Sequence, residues 1–347
     1  EINYKKNKKK ASAIKIKGHY LKDKLINFDQ ISFTEKNNFL NINGIKLNTN
    51  YKIVNLNEIK VKYLNDKNKL NFLSLKKNKK DYLLYGETFD ATQLIDNILK
   101  SDDNKSFFDI FDKLNSKLEI NIKNVYLDKT NYLKNFAGLI KINQNEIISA
   151  NLNSSFSNND KFLFSIQSAN NEKVTTLFSE NAEPFVNKFD FIKGFTGGKL
   201  DFTSTEIKKD LSRSELRIYD FKLKDMPALT KLLSLASLQG IADLATGEGI
   251  RFDEFDMFFE NRKNLISVNE IYALGPAISI LMEGYVEKNK VVSLRGTLVP
   301  ATTINKTVAK IPLLGNILVG EKAGEGVFGV SFKIKGPPNN LDTRVNP

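Results

Sequence analysis

Apolar and polar side chains alternate along most of this chain with a period of two. Ile14 and Ile16 are separated by lysine. Ile59, Val61 and Tyr63 stand opposite Lys60 and Lys62, and Leu118, Ile120 and Ile122 opposite Glu119 and Asn121. The spacing recurs at Phe162, Phe164 and Ile166, at Leu216 and Ile218, and at Phe328, Val330, Phe332 and Ile334. A period of two sends successive side chains to opposite faces of a strand. Each run therefore predicts a strand with one apolar and one wet face. Turn-forming clusters such as Asn158-Asn159-Asp160, Asn170-Asn171 and Glu287-Lys288-Asn289-Lys290 separate the runs. The expected fold is mainly β: a long curved antiparallel sheet, a half-pipe or groove, open or partly rolled, with a few short helices.

In two runs the apolar set slips by one residue. Leu216 and Ile218 give way to Phe221 and Leu223, and Ile250 and Phe252 give way to Phe255, Met257 and Phe259. A β-bulge produces this slip and adds curvature. Helices are few. Asp90 caps a helix near 91–99 with Leu94, Ile95, Ile98 and Leu99 on one face. A second is expected over 182–191. Asp225 and Pro227 start a helical region near 226–244, with Leu229, Leu232, Leu233 and Ala236 on one face and a stop or kink at Gly240. Thr303 caps a segment over 303–308. The boundary is placed at Gly194-Phe-Thr-Gly-Gly198, giving a β-groove segment 1–197 and a C-terminal region 198–347.

With 347 residues, 41% of them hydrophobic, the chain can bury a sizeable core. It has no cysteine, which removes disulfides, thiol nucleophiles and cysteine metal sites. Lys, Asn, Leu and Ile dominate while Arg is sparse, the bias of an AT-rich genome. The net charge of +12 favours acidic partners such as nucleic acid or anionic lipid headgroups. Aromatic residues do not interleave with lysines in an RNA-binding pattern, so no nucleic-acid partner is expected. No apolar run is long enough to span a membrane as a helix. The best, Ala228 to Ala242, is interrupted by Lys231 and Gln239. The basic start, with Lys5, Lys6 and Lys8 to Lys10, is followed by no apolar core of a signal peptide.

The motifs of chemistry fail on inspection. Gly324-Glu-Gly-Val-Phe-Gly329 has dinucleotide-loop spacing, but an alternating strand pattern follows it where a helix is required. Gly194-Phe-Thr-Gly-Gly-Lys-Leu200 has Leu200 where a phosphate loop needs a hydroxyl. His19 is the single histidine and has no second imidazole or thiol to share a zinc ion. Asp102-Asp103, and Asp253 and Glu254 with Asp256, are carboxylate clusters of the kind that solvate turns and strand faces. No catalytic residue, cofactor or metal is predicted.

The last third carries an ordered set of motifs. Lys224-Asp-Met-Pro-Ala-Leu-Thr-Lys-Leu-Leu leads to Gly240, and Gly247-Glu-Gly-Ile-Arg-Phe252 follows. Next come Arg295-Gly-Thr-Leu-Val-Pro-Ala-Thr-Thr-Ile-Asn305, Ile311-Pro-Leu-Leu-Gly315, Gly324-Glu-Gly-Val-Phe328 and Val345-Asn-Pro347. This set resembles the C-terminal region of the AsmA-like, YhdP-type proteins of Gram-negative bacteria. In the first half only Leu84-Tyr-Gly-Glu-Thr-Phe-Asp-Ala-Thr-Gln-Leu94 resembles the family. The resemblance implies a non-enzymatic, bridge-like carrier that moves phospholipid between inner and outer membranes along an apolar groove. It further implies a periplasmic location, possible envelope protein partners, and an anchoring helix upstream in a longer protein. The groove-lining residues expected from strand pattern and resemblance together are Phe162, Phe164, Ile166, Leu216, Ile218, Phe252, Phe328, Val330, Phe332 and Ile334. The alternatives are an envelope assembly factor that does not itself carry lipid and an outer-membrane barrel; the predicted helices and the lack of a barrel-like cadence weigh against the barrel.

Overall fold

Period-two runs flanked by turn residues become strands wherever they occur among the described residues. The computed structural model describes residues 4, 6, 10–21, 25–100, 107–169, 172–188, 194–224, 227–235, 238, 241–242, 246–288, 290–300, 329–338 and 340–346. Among the described residues the fold is mainly β, a mixed sheet of nineteen strands not closed into a barrel, with three short α-helices of complete range. Tertiary contacts divide the chain into two units, Glu1–Thr176 and Leu177–Pro347. The division falls within a strand, ahead of the Gly194–Gly198 segment at which the sequence places its boundary. Those glycines instead open a strand, with Gly197 and Gly198 at φ of +74° and +83°.

The first unit runs β1 (Ala13–Leu21), β2 (Leu25–Glu35), β3 (Asn38–Leu47), β4 (Ile53–Leu64), β5 (Leu70–Asn78) and β6 (Asp81–Asp90). After helix α1 (Thr92–Lys100) and a 3-10 turn (Phe107–Ile110) come β7 (Ser116–Tyr126), β8 (Tyr132–Asn143), β9 (Glu146–Phe156) and β10 (Lys161–Ala169). Strand β11 (Glu172–Ser179) spans the unit boundary. From β1 to β10, each strand pairs with the next in sequence. One pairing corrects the antiparallel expectation: β6 and β7 are parallel. Parallel neighbours need a crossover connection rather than a hairpin, and residues 91–115, with α1 and the 3-10 turn, supply it. The Asp90 carboxylate accepts the Thr92 amide at 3.0 Å, as the sequence reading of the helix start requires.

The second unit begins with α2 (Glu183–Val186), a single turn where the sequence predicts a helix over 182–191. The Ala182 amide donates to Gly198 O at 2.8 Å and ties this turn to the sheet. Strands β12 (Phe195–Lys208), β13 (Leu211–Leu223), β14 (Ile250–Arg262), β15 (Leu265–Leu274), β16 (Ile278–Glu287), β17 (Val291–Pro300), β18 (Val330–Gly336) and β19 (Asp342–Asn346) follow as an antiparallel meander. Helix α3 (Pro227–Leu235) interrupts it between β13 and β14. Leu229, Leu232 and Leu233 of α3 are buried in one apolar cluster with Phe195, Ile218, Phe221, Phe252 and Phe332 of the sheet. Within it the rings of Phe195, Phe221 and Phe252 stack in series at 5.1 and 5.4 Å. The predicted segment 303–308 and Phe328 lie outside the described residues.

Where the apolar pattern slips at Phe221 and Phe255, the strand pairing skips a position on both strands without the register shift of the expected β-bulge. Pairing of β13 with β14 passes from Tyr219–Glu254 to Phe221–Phe252, skipping Asp220 (φ +54°) and Asp253 with no change of register. Ile218 and Phe221 consequently face the same way, and both are buried. In β2–β4 the skipped residues are Asp29, Gly44 and Asn57, and in β6–β8 they are Glu87, Lys123 and Asn135, again with the register kept. Apolar residues flanking a skipped position, such as Ile42 and Ile45, fall on one face.

Gly138 marks a different kind of close approach. It has φ +153°, and a Cβ there would stand 2.0 Å from Asn151 O on β9. At Gly197 the nearest atom to such a Cβ is Asp220 O, 3.6 Å away. Gly138→Ala is therefore expected to cost at least about 2 kcal/mol of unfolding free energy in urea denaturation, and more than Gly197→Ala. Equal midpoints for the two variants would refute the argument from close approach.

Candidate functional site

Cross-strand register brings apolar residues of the first unit into continuous rows. Ile16 faces Ile31, Ile31 faces Ile42, then Ile59, Leu75, Leu84, Ile120, Gly138, Leu152 and Phe164 follow, one from each of ten strands. A second row runs Ile14, Phe33, Leu40, Val61, Leu73, Gly86, Ile122 and Phe136. At about 4.8 Å per strand the first row extends roughly 43 Å along the sheet. The opposite face reads Lys17, Gln30, Asn43, Glu58 and Lys76 over the first five strands, so it is wet there.

Only parts of this apolar face are covered. Toward Ile53 and Ile142, Phe108 and Phe111 at the 3-10 turn pack over Leu56, Tyr82 and Leu114. Near Phe33 and Tyr63 the ring of Tyr4 lies edge-on, 5.9 Å from each, and its hydroxyl donates to the Glu35 carboxylate. Burial, with the charge of Asp90 nearby, pushes the Tyr63 hydroxyl up to about 12. Ile31, Ile42, Ile59, Leu75, Leu84, Phe136 and Phe164 are half-buried and retain accessible apolar surface.

The predicted lining residues fall into two groups. In the first unit, Phe164 is half-buried in the long row, Ile166 is buried, and Phe162 is buried with its ring 6.3 Å from that of Phe136. In the second unit, Ile218, Phe252 and Phe332 are fully packed in the core with α3, and Leu216 and Ile334 pack against it. Val330 is half-buried, facing Leu298. Ile31, Ile42, Leu75 and Leu84 were not predicted. Their strands mix apolar residues onto both faces (Leu83 and Leu84 are adjacent), which hides the alternation. Gly44 inside β3, at φ +62°, is the one local sign of the skipped position that sets Ile42 and Ile45 on the same side.

The polar residues weighed for chemistry are dispersed or neutralised. His19 Nδ1 is 3.7 Å from Asp29 on the edge of the sheet. Arg217 lies between Glu215 and Asp256, its Nε 3.4 Å from the latter. Asp102 and Asp103 lie outside the described residues. Among the described residues no group of three or more His, Asp or Glu gathers at metal-binding spacing, and no helix is long and apolar enough to cross a membrane.

Asp256 is held above the usual carboxylate value of 3.8, first by burial and then by the charge of Glu254, with Arg217 opposing. A raised carboxylate pKa means the folded state disfavours the charge. The resulting penalty is present at neutral pH, fades as pH falls through the folded pKa, and is gone below 3.8. Asp256→Asn should therefore raise the unfolding midpoint at pH 7 and leave it unchanged at acid pH. A variant less stable than wild type at pH 7 would show that the Arg217 ion pair outweighs desolvation.

No family model, curated protein or solved structure matches this chain.

Proposed function

We propose that the chain is a non-enzymatic lipid carrier of the AsmA-like, YhdP-type kind, working in the periplasm and passing phospholipid between inner and outer membranes. The observation that carries this reading is the unbroken apolar row from Ile16 to Phe164, crossing ten strands with half-buried side chains along much of it. Each methylene removed from water gains about 0.8 kcal/mol. A row that stays apolar from strand to strand keeps much of that gain as an acyl chain moves, so sliding meets no large barrier. Headgroups stay in water beside the sheet.

Within this reading, the first unit supplies the acyl-chain surface. Ile31, Ile42, Leu75, Leu84, Phe136 and Phe164 make the contacts. The second unit has α3 on the same kind of face, and Ile218, Phe252 and Phe332 stabilise its fold. That covered face favours a second reading for the second unit, as an envelope assembly or docking module that does not itself hold lipid.

The test is lipid content. Protein extracted from native membranes without detergent should carry phospholipid detectable by mass spectrometry. Leu84→Lys puts a charge on the row at a half-buried position, where desolvating it beside acyl chains is costly. Bound lipid should fall several-fold in this variant with its circular dichroism unchanged, while Leu84→Met retains it. Wild type without lipid, or Leu84→Lys loaded like wild type, would reject the carrier reading.

A further inference from the structure

The positive charge of this protein resides almost wholly in the first unit. Residues 1–176 contain thirty lysines, no arginine and nineteen carboxylate side chains, a surplus of eleven. Residues 177–347 contain twenty-two lysines and arginines against twenty-one carboxylates, a surplus of one, and together these make the +12 of the chain. A genome-wide compositional bias acts on both units alike and does not account for the difference.

The two units also differ in how their cations are used. All six arginines are in the second unit, and each is within ion-pair distance of a carboxylate: Arg213 and Arg262 with Glu260, Arg217 with Glu215 and Asp256, Arg251 with Asp220 and Asp253, Arg295 with Glu283, and Arg344 with Asp342. On the polar face of β1–β5, Lys15, Lys17, Lys46 and Lys76 are exposed, and no described carboxylate stands within ion-pair distance of them. Lys60 adds a fifth cation, paired with Glu58 at 3.2 Å. The register fixes these on one face, with Lys15 aligned through Ser32 and Asn41 to Lys60, and Lys17 through Gln30, Asn43 and Glu58 to Lys76.

We propose that this face of β1–β5, opposite the apolar rows, docks on an anionic lipid bilayer. The cations are spread over five strands with asparagine, serine and glutamine between them. Such a diffuse field suits a fluid surface whose anionic headgroups move independently to meet it. A nucleic-acid strand calls for a stacking platform along its path. Phe39 and Phe72 on this face instead pack against each other at 6.5 Å beneath Lys62. The inference concerns the opposite face from the acyl-chain rows and stands or falls separately from the carrier reading.

The experiment is co-sedimentation with vesicles of phosphatidylcholine alone and with vesicles containing about one third phosphatidylglycerol. Binding should be about tenfold tighter or more on the anionic vesicles and lost at high salt, as Debye screening requires. A variant carrying Lys15→Gln, Lys17→Gln, Lys46→Gln and Lys76→Gln should lose about tenfold in affinity or more. A matched variant carrying Lys199→Gln, Lys222→Gln, Lys333→Gln and Lys335→Gln, all exposed in the second unit, should bind like wild type. Equal binding to neutral vesicles, or equal loss in both variants, overturns the proposal. Tighter binding to single-stranded RNA than to anionic vesicles at the same salt overturns it in favour of a nucleic-acid surface. Vesicle binding by protein that carries no lipid supports docking while rejecting the carrier.

Discussion

Cross-strand alignment of apolar side chains is the constraint on which the rest of this structure depends. A strand with one apolar face gains little alone; its neighbours must present the same face at the same height. A slip of one residue would turn every apolar side chain to water. In the first unit nine successive pairings hold Ile16 to Phe164 in one row. The skipped pair positions serve that alignment. Because Gly44 is skipped together with Asn57, and Asp220 with Asp253, the register is kept and the apolar face stays on one side.

The two units solve the problem of an apolar sheet face differently. In the second, α3 brings Leu229, Leu232 and Leu233 down onto the Phe195–Phe221–Phe252 stack, and the face becomes an ordinary core. In the first, the 3-10 turn and Tyr4 cover parts of the face, and side chains such as Leu75 and Leu84 stay half-buried. The electrostatics diverge in parallel: paired arginines in one unit, and lysines without a described carboxylate partner on the polar face of the other.

Much of the fold was legible because its signals are local. Alternation in β4, β7 and β10, the Asp90 helix start and the slips at Phe221 and Phe255 are each written in fewer than ten residues. The parallel β6–β7 pair was not legible, since Leu84 to Leu94 reads as strand then helix and nothing local states which way the next strand runs. The helix expected over 182–191 is a single turn, and the Ala182–Gly198 hydrogen bond that ties it to the sheet is a tertiary contact with no local signal. For the candidate site, Phe164 was found from its own strand. Whether an apolar face stays accessible is decided by what packs on it, and Ile218 and Phe332 show that alternation alone does not separate a lining residue from a core residue.

The most direct test of the central claim is site-specific photocrosslinking in cells, with a benzophenone side chain placed at Leu84 on the half-buried apolar row and, separately, at Leu163 on the opposite face of β10, where 46% of the residue is exposed. The account predicts a covalent phospholipid adduct at Leu84 and none at Leu163. Adducts at neither position, or equal adducts at both, would contradict it.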